Sequence, residues 1–232
     1  MNVIKQNLTE VNYRHYGANR KIEYIVIHYT AGKKDYPGAA YDNTEYFKEA
    51  YRGASAHYFV DCGDTIWQCV EDKHIAWHCG GGIQGAGGHS YYGKCINSNS
   101  IGVEMVSEYN DGVYSIKEET LKNAAELVYY LAKKYDVPMD RIIRHYDVTG
   151  KPCPAPLVNN NEWKNFKNMI TEVGNMPNFK DIKGHWAEEY IKKLADYGIV
   201  CGDDKGNFNP DKPVTRAECA KMISNALLIL GK

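Results

Sequence analysis

Two histidines and one cysteine, far apart in the chain, carry its strongest chemical signal. His28 ends the apolar run Lys21-Ile22-Glu23-Tyr24-Ile25-Val26-Ile27-His28, while His145 and Cys153 lie in the turn-rich stretch from Arg144 to Pro154. Two imidazoles and a thiolate suit a borderline-soft cation such as zinc, and three protein ligands leave a tetrahedral ion one open position. Water in that position makes the site hydrolytic rather than structural. Breaking an amide also needs a base that takes a proton from water and passes it to the leaving nitrogen. A carboxylate held in an apolar strand suits that task, and Glu104 in Ser100-Ile101-Gly102-Val103-Glu104-Met105-Val106 is one. Lys151, two residues before Cys153, brings a point charge to the place where an oxyanion would develop. Taken singly, each residue has a plainer reading. His28 suits a satisfied strand end, Cys153 a packed thiol, Glu104 an ion-paired strand carboxylate and Lys151 surface charge. The separation of His145 from Cys153 matches no short-range zinc-finger spacing, and no fourth ligand presents itself.

The elements that position these groups follow from periodicity and punctuation. Residues 21–28 read as a buried central strand, and Ile101, Val103 and Met105 alternate with Gly102, Glu104 and Val106 in a second. Asn43 and Thr44 are expected to cap a helix running to Tyr51. His57–Asp61 and Thr65–Val70 form a hairpin joined at Cys62-Gly63-Asp64. Seven glycines between Cys79 and Gly93 suit a mobile surface loop. Ser115 with Glu118 reads as a capping box for a helix reaching Tyr135, Arg141–His145 as a short strand, and Glu162–Val173 as a helix. The expected fold is α/β, a mixed β-sheet flanked by helices, with a small helical C-terminal segment. A break at Gly174-Asn175-Met176-Pro177 divides the chain into residues 1–174 and 175–232. The second part carries helices at Trp186–Tyr197 and Thr215–Leu230, the latter behind a Thr215/Glu218 capping box.

Composition limits the function classes. A net charge of -1 over 232 residues, 25% of them charged, lacks the basic surplus of a nucleic-acid binder. The polar start Met1-Asn2-Val3-Ile4-Lys5-Gln6 is neither a secretory signal nor a membrane span, so synthesis in the cytoplasm is expected. Seven cysteines, an odd count, do not read as a disulfide framework; all but Cys153 are taken as packing thiols.

Five motifs occur in order: Tyr24 to Ala31 around His28, Ala54-Ser55-Ala56-His57-Tyr58-Phe59-Val60-Asp61, Ala76-Trp77-His78-Cys79-Gly80, Ser100 to Glu104, and His145 to Cys153. Over residues 20–170 the chain thus resembles the zinc-dependent N-acetylmuramoyl-L-alanine amidases, relatives of peptidoglycan recognition proteins and of phage endolysins. The resemblance implies hydrolysis of the amide between N-acetylmuramic acid and L-alanine in peptidoglycan. It implies zinc on His28, His145 and Cys153, Glu104 as base and Lys151 on the oxyanion. Some relatives carry a catalytic tyrosine where this chain has Ala56, which leaves more of the work to Glu104. His57 and His78 are then substrate-cleft residues or supports behind the ligands, and Trp77 a platform for sugar or peptide. Residues 178–230, with Phe179-Lys180-Asp181, Gly184-His185-Trp186 and Val214-Thr215-Arg216-Ala217-Glu218, resemble one S-layer homology repeat. That implies attachment to a secondary wall polymer of a Gram-positive-type envelope, with Trp186 and Arg216 as contact residues unless Trp186 is core. A single repeat also invites docking or homo-oligomerisation. An endolysin is the expected role. The alternatives are a bacterial autolysin of the same activity, a non-catalytic muropeptide-binding protein, a structural zinc domain and a cytosolic wall-recycling amidase.

Overall fold

The computed structural model describes residues 3–174, 179–203 and 205–229. The chain divides into two compact units, one ending at Ile170 and one beginning at Thr171. The expected junction at Asn175-Met176-Pro177 lies outside the described residues.

The first unit carries strands β1 (Val3–Gln6), β2 (Tyr13–Arg14), β3 (Tyr24–Tyr29), β4 (Tyr58–Val60), β5 (Thr65–Gln68), β6 (Ile75–Ala76), β7 (Ser100–Met105), β8 (Glu108–Asn110), β9 (Val113–Ser115) and β10 (Ile142–Arg144). Its helices are α1 (Ala39–Glu49), α2 (Glu118–Tyr135), α3 (His145–Thr149) and most of α4 (Asn160–Gly174), whose residues from Thr171 on fall in the second unit. Six strands form one sheet in the order β1-β5-β4-β7-β3-β10, all neighbours parallel except β4 and β5. The mixed α/β architecture expected from the pattern is the one observed, and the β4–β5 hairpin is where it was expected.

Register explains how the sheet serves two purposes. Tyr24 faces Ser100, Val26 faces Gly102 and His28 faces Glu104 across β3 and β7, so these six residues share one face. The other face carries Ile25, Ile27, Ile101, Val103 and Met105, all fully buried. There α2 presses Ala124, Leu127, Val128 and Leu131, and the hydroxyls of Tyr58 and Tyr135 both donate to Asp72. Each fully buried Ile, Val, Leu or Met side chain there contributes on the order of 1.5–3 kcal/mol. The polar face is partly roofed by α1, whose Ala39 and Ala40 pack on Phe59 and Val106.

Several boundaries differ from expectation, each for a tertiary reason. Helix α1 begins before Asn43, because Asp61 reaches across from the end of β4 and its Oδ2 accepts the Gly38 and Ala40 N–H groups. Ser115 caps nothing: it pairs with Glu108 in the β8–β9 hairpin, and α2 starts from Lys117 without a side-chain cap. The stretch after Arg144 is a helical turn, α3, rather than loop. The glycine-rich segment is tied to that turn, with Gln84, His89 and Tyr91 N–H groups donating to the carbonyls of Thr149, Tyr146 and Asp147. Gly88 has φ +77, and a Cβ there would fall 2.3 Å from the Tyr146 carbonyl oxygen, so the close approach requires glycine. Strands β1, β2, β6, β8 and β9 were not anticipated.

The second unit holds α5 (Glu188–Asp196) and α6 (Arg216–Ile229); its small core is Phe179, Ile182 and Ile191, with Ala187, Ala195 and Phe208 against it. Asp181 accepts the Phe208 and Asn209 N–H groups, and Asp203 accepts those of Lys205 and Asn207, which shapes the connector. The expected Thr215/Glu218 capping box is present: Thr215 N–H donates to Glu218 Oε2 and Glu218 N–H to Thr215 Oγ1. Among the described residues no helix is long and apolar enough to cross a membrane.

Candidate metal centre

Three elements meet at one buried point. β3 delivers His28, the start of α3 delivers His145, and the turn after α3 delivers Cys153, whose carbonyl accepts the Tyr146 N–H. One ligand atom from each lies within 4.8 Å of the others, and all three side chains are buried. His28 Nδ1 stands 3.7 Å from Cys153 Sγ. A tetrahedral zinc with ordinary Zn–S and Zn–N lengths sets those two atoms about 3.6 Å apart. Among the described residues both ring nitrogens of His145 are sealed from solvent without a hydrogen-bond partner. An unmet buried polar atom costs about 1–3 kcal/mol, and a cation at the centre of the three ligand atoms removes that cost at one nitrogen. The donor set therefore fits a zinc ion.

The electrostatics agree. Burial, then the neighbouring His145, His78 and Lys151, holds the His28 imidazole well below its ordinary range. Burial, then Lys151, brings His145 down to about 4, so both rings are neutral near pH 7, the form that ligates. Burial and then Glu104 push the Cys153 thiol up to about 12, while the Tyr29 backbone N–H donates toward its sulfur. Only a nearby cation would draw off that proton at neutral pH.

Glu104 lies beside His28 through strand register. Its residue surface is partly open, yet Oε2 is sealed and unpartnered among the described residues. Burial raises its carboxyl to about 7 against the opposing charge of Lys151. Lys151 itself is exposed, and its charge acts on His28, His145, Glu104 and Cys153 alike.

His57 and His78 sit behind the candidate ligands. His57 is fully buried; its Nδ1 accepts the Gly102 N–H, and its Nε2 faces Arg20 and the His74 carbonyl. His78 joins His28 to Ser100. Trp77 is half-buried, meets Tyr51 edge-on and helps line a cavity of about 530 Å³ with Arg14, Gly80, Tyr92, Asn97 and Val148. Trp186 is 82% exposed and thus no core residue, and Arg216 is exposed at the first turn of α6. Sequence reasoning passed over Arg20, whose guanidinium holds the carbonyls of Asn97, Ser98 and Ser100 at the entry to β7. Burial lowers it to about 10. An arginine before an apolar strand carries no local mark of that role.

Residues 18–156 match the family model of the N-acetylmuramoyl-L-alanine amidases. The chain belongs to this amidase family. Residues 178–220 match the S-layer homology domain. Among curated amidases, a probable N-acetylmuramoyl-L-alanine amidase of Bacillus licheniformis is 43% identical over 139 residues, 58% of this chain and 36% of that one. The amidase BlyA of Bacillus subtilis (strain 168) is 38% identical over 159 residues, 64% of this chain and 41% of that one. The chain thus spans well under half the length of these two relatives. A solved mutant endolysin from Bacillus subtilis superposes with a TM-score of 0.57 at 26% identity, covering 73% of this chain and 99% of that one. All three metal-ligand candidates and Glu104 fall inside the amidase match.

Proposed function

We propose that this chain hydrolyses the amide joining N-acetylmuramic acid to L-alanine in peptidoglycan, using zinc held by His28, His145 and Cys153. The observation that carries the reading is the convergence of those three buried ligand atoms beside a partly open carboxylate raised to about 7. When bound, zinc would polarise the attacking water and the scissile carbonyl. Glu104 takes a proton from the water with one carboxylate oxygen and returns it to the departing alanine nitrogen, a transfer that a group near pKa 7 performs in both directions at neutral pH. The Lys151 ammonium offsets negative charge on the carbonyl oxygen as the carbon becomes tetrahedral. Trp77 and the cavity it lines offer an apolar platform and hydrogen-bond donors for the sugar or stem peptide. His78 supports His28 from behind, and His57 backs His78 in turn.

The wall is the substrate, and the S-layer homology unit supports attachment to its secondary polymer through exposed Trp186 and Arg216. The similarity to a Bacillus subtilis endolysin supports an endolysin acting on a Gram-positive-type wall. For the second unit, α6 has no buried residue among those described and leaves Ile223 and Leu227 open, which favours self-association as a second use. Sedimentation of the full chain reads that out directly. The activity is tested by digesting purified peptidoglycan with zinc-loaded and chelated protein. New alanine amino groups without new reducing sugar ends, lost on chelation, are expected. Reducing ends, or release that survives chelation, contradict the reading.

A further inference from the structure

We propose that His78 is a positioning residue that fixes the ring and the tautomer of His28, with Ser100 as its anchor and Gly102 as its seat. The proposal rests on His28 being a metal ligand and adds how the chain prepares it.

Proton accounting along the contacts gives the direction. A serine hydroxyl has one hydrogen, and Ser100 Oγ donates it to the Ile96 carbonyl at 2.7 Å. Cys79 Sγ lies 3.5 Å from Ser100 Oγ, at the outer edge of contact, and stands closer to Asn97 Oδ1 at 3.3 Å, to which its thiol donates. Ser100 Oγ therefore presents only lone pairs to His78 Nε2, 3.2 Å away, and His78 must carry its hydrogen on Nε2. In its neutral form that leaves His78 Nδ1 as an acceptor, 3.1 Å from His28 Nε2. The His28 hydrogen then resides on Nε2, and Nδ1 turns its lone pair toward Cys153 Sγ and the cage. A polar contact that spans from Ile96 to the ligand atom thus selects one of two tautomers before any ion arrives.

The ring can lie there only because β7 is bare beneath it. A Cβ on Gly102 would stand 2.6 Å from His78 Cγ and 2.8 Å from Nδ1. The His78 and Cys79 N–H groups both donate to Asn97 Oδ1, which holds the backbone of the same turn. The His57 ring stands edge-on at 5.6 Å, and His78 is 8% exposed, so little of it is left for substrate to touch.

The test uses the full chain and zinc itself. Long-range ¹H–¹⁵N correlation spectra of chelated protein are expected to show His28 protonated on Nε2 and bare on Nδ1, and His78 protonated on Nε2. Competition with a chromophoric chelator is expected to show zinc binding weakened about 10–100-fold in His78→Leu, the usual loss when a group orienting a ligand is removed. His78→Asn, whose amide oxygen accepts the same hydrogen, should recover part of that loss. A proton on His28 Nδ1 in the chelated protein overturns the proposal, as does equal zinc affinity of the Asn and Leu variants. Should the variants fail to fold, the wild-type spectrum decides alone. If wild-type protein binds no zinc, the proposed metal chemistry falls while the spectrum still judges the His28–His78–Ser100 contacts.

Discussion

Glu104 is held where a carboxylate is least at ease: in the central strand of a buried sheet, with one oxygen sealed and its carboxyl raised to about 7 by burial. Catalysis by the unprotonated base then falls as pH drops through about 7, rather than near the ordinary 4.5. A fit of kcat/KM against pH should place the acid limb well above 4.5. Glu104→Gln should keep its metal and lose about 10²–10⁴-fold in turnover, the range for a general base. Unchanged turnover would remove Glu104 from the mechanism. Stability moves the opposite way for this group. A carboxyl raised in the folded state favours folding below about 4.5, and that contribution is lost as pH rises through about 7. Denaturant titrations of chelated protein should therefore show Glu104→Gln gaining on wild type across that window. The three candidate ligands were legible in the sequence because few side chains bind zinc and their order matched the family motifs, and the structure brings them together. The contacts of His78 with His28 and Gly102 were not legible, because they arise from which residue of β7 lies under which ring.

At the scale of elements, α1 depends on a cap that is distant in sequence. Asp61 Oδ2 accepts the Gly38 and Ala40 N–H groups, and Oδ1 accepts that of Gly63. Asp61→Ala should cost about 1–2 kcal/mol in urea unfolding, as loss of an N-cap does, with the β4–β5 turn loosened alongside. A local reading placed the start of α1 at Asn43 and Thr44 because a cap supplied by another strand leaves no mark beside the helix. The Ser115/Glu118 pattern misled for a related reason. Asp111 and Gly112 take φ +50 and +86, a hairpin turn whose Asp-Gly signal was in the sequence, and the strand it returns claims Ser115. Thr215 and Glu218 have no competing strand, and there the capping box forms. The β1 pairing joins Val3 to Thr65, a parallel contact between segments too short and too far apart for periodicity to reveal.

At the scale of the whole chain, the proposed function assigns cutting to the first unit and holding to the second. Protein ending at residue 174 should hydrolyse soluble muropeptides at rates close to the full chain, yet pellet less with whole walls. Trp186→Ala in the full chain should reproduce part of that loss, since a side chain 82% exposed contributes little to folding. Equal pelleting of all three proteins would leave the second unit without a wall-binding role. The amidase and S-layer homology matches were readable as two runs of motifs, whereas the exposure of Trp186 depends on how a small core seats α5. The convergence of two imidazoles and one sulfur underlies every catalytic statement made for the chain, and zinc-edge X-ray absorption on zinc-loaded protein tests it most directly. One sulfur at about 2.3 Å and two imidazole nitrogens at about 2.0–2.1 Å per zinc are expected. A spectrum without a sulfur neighbour, or unchanged in Cys153→Ser, would contradict the account.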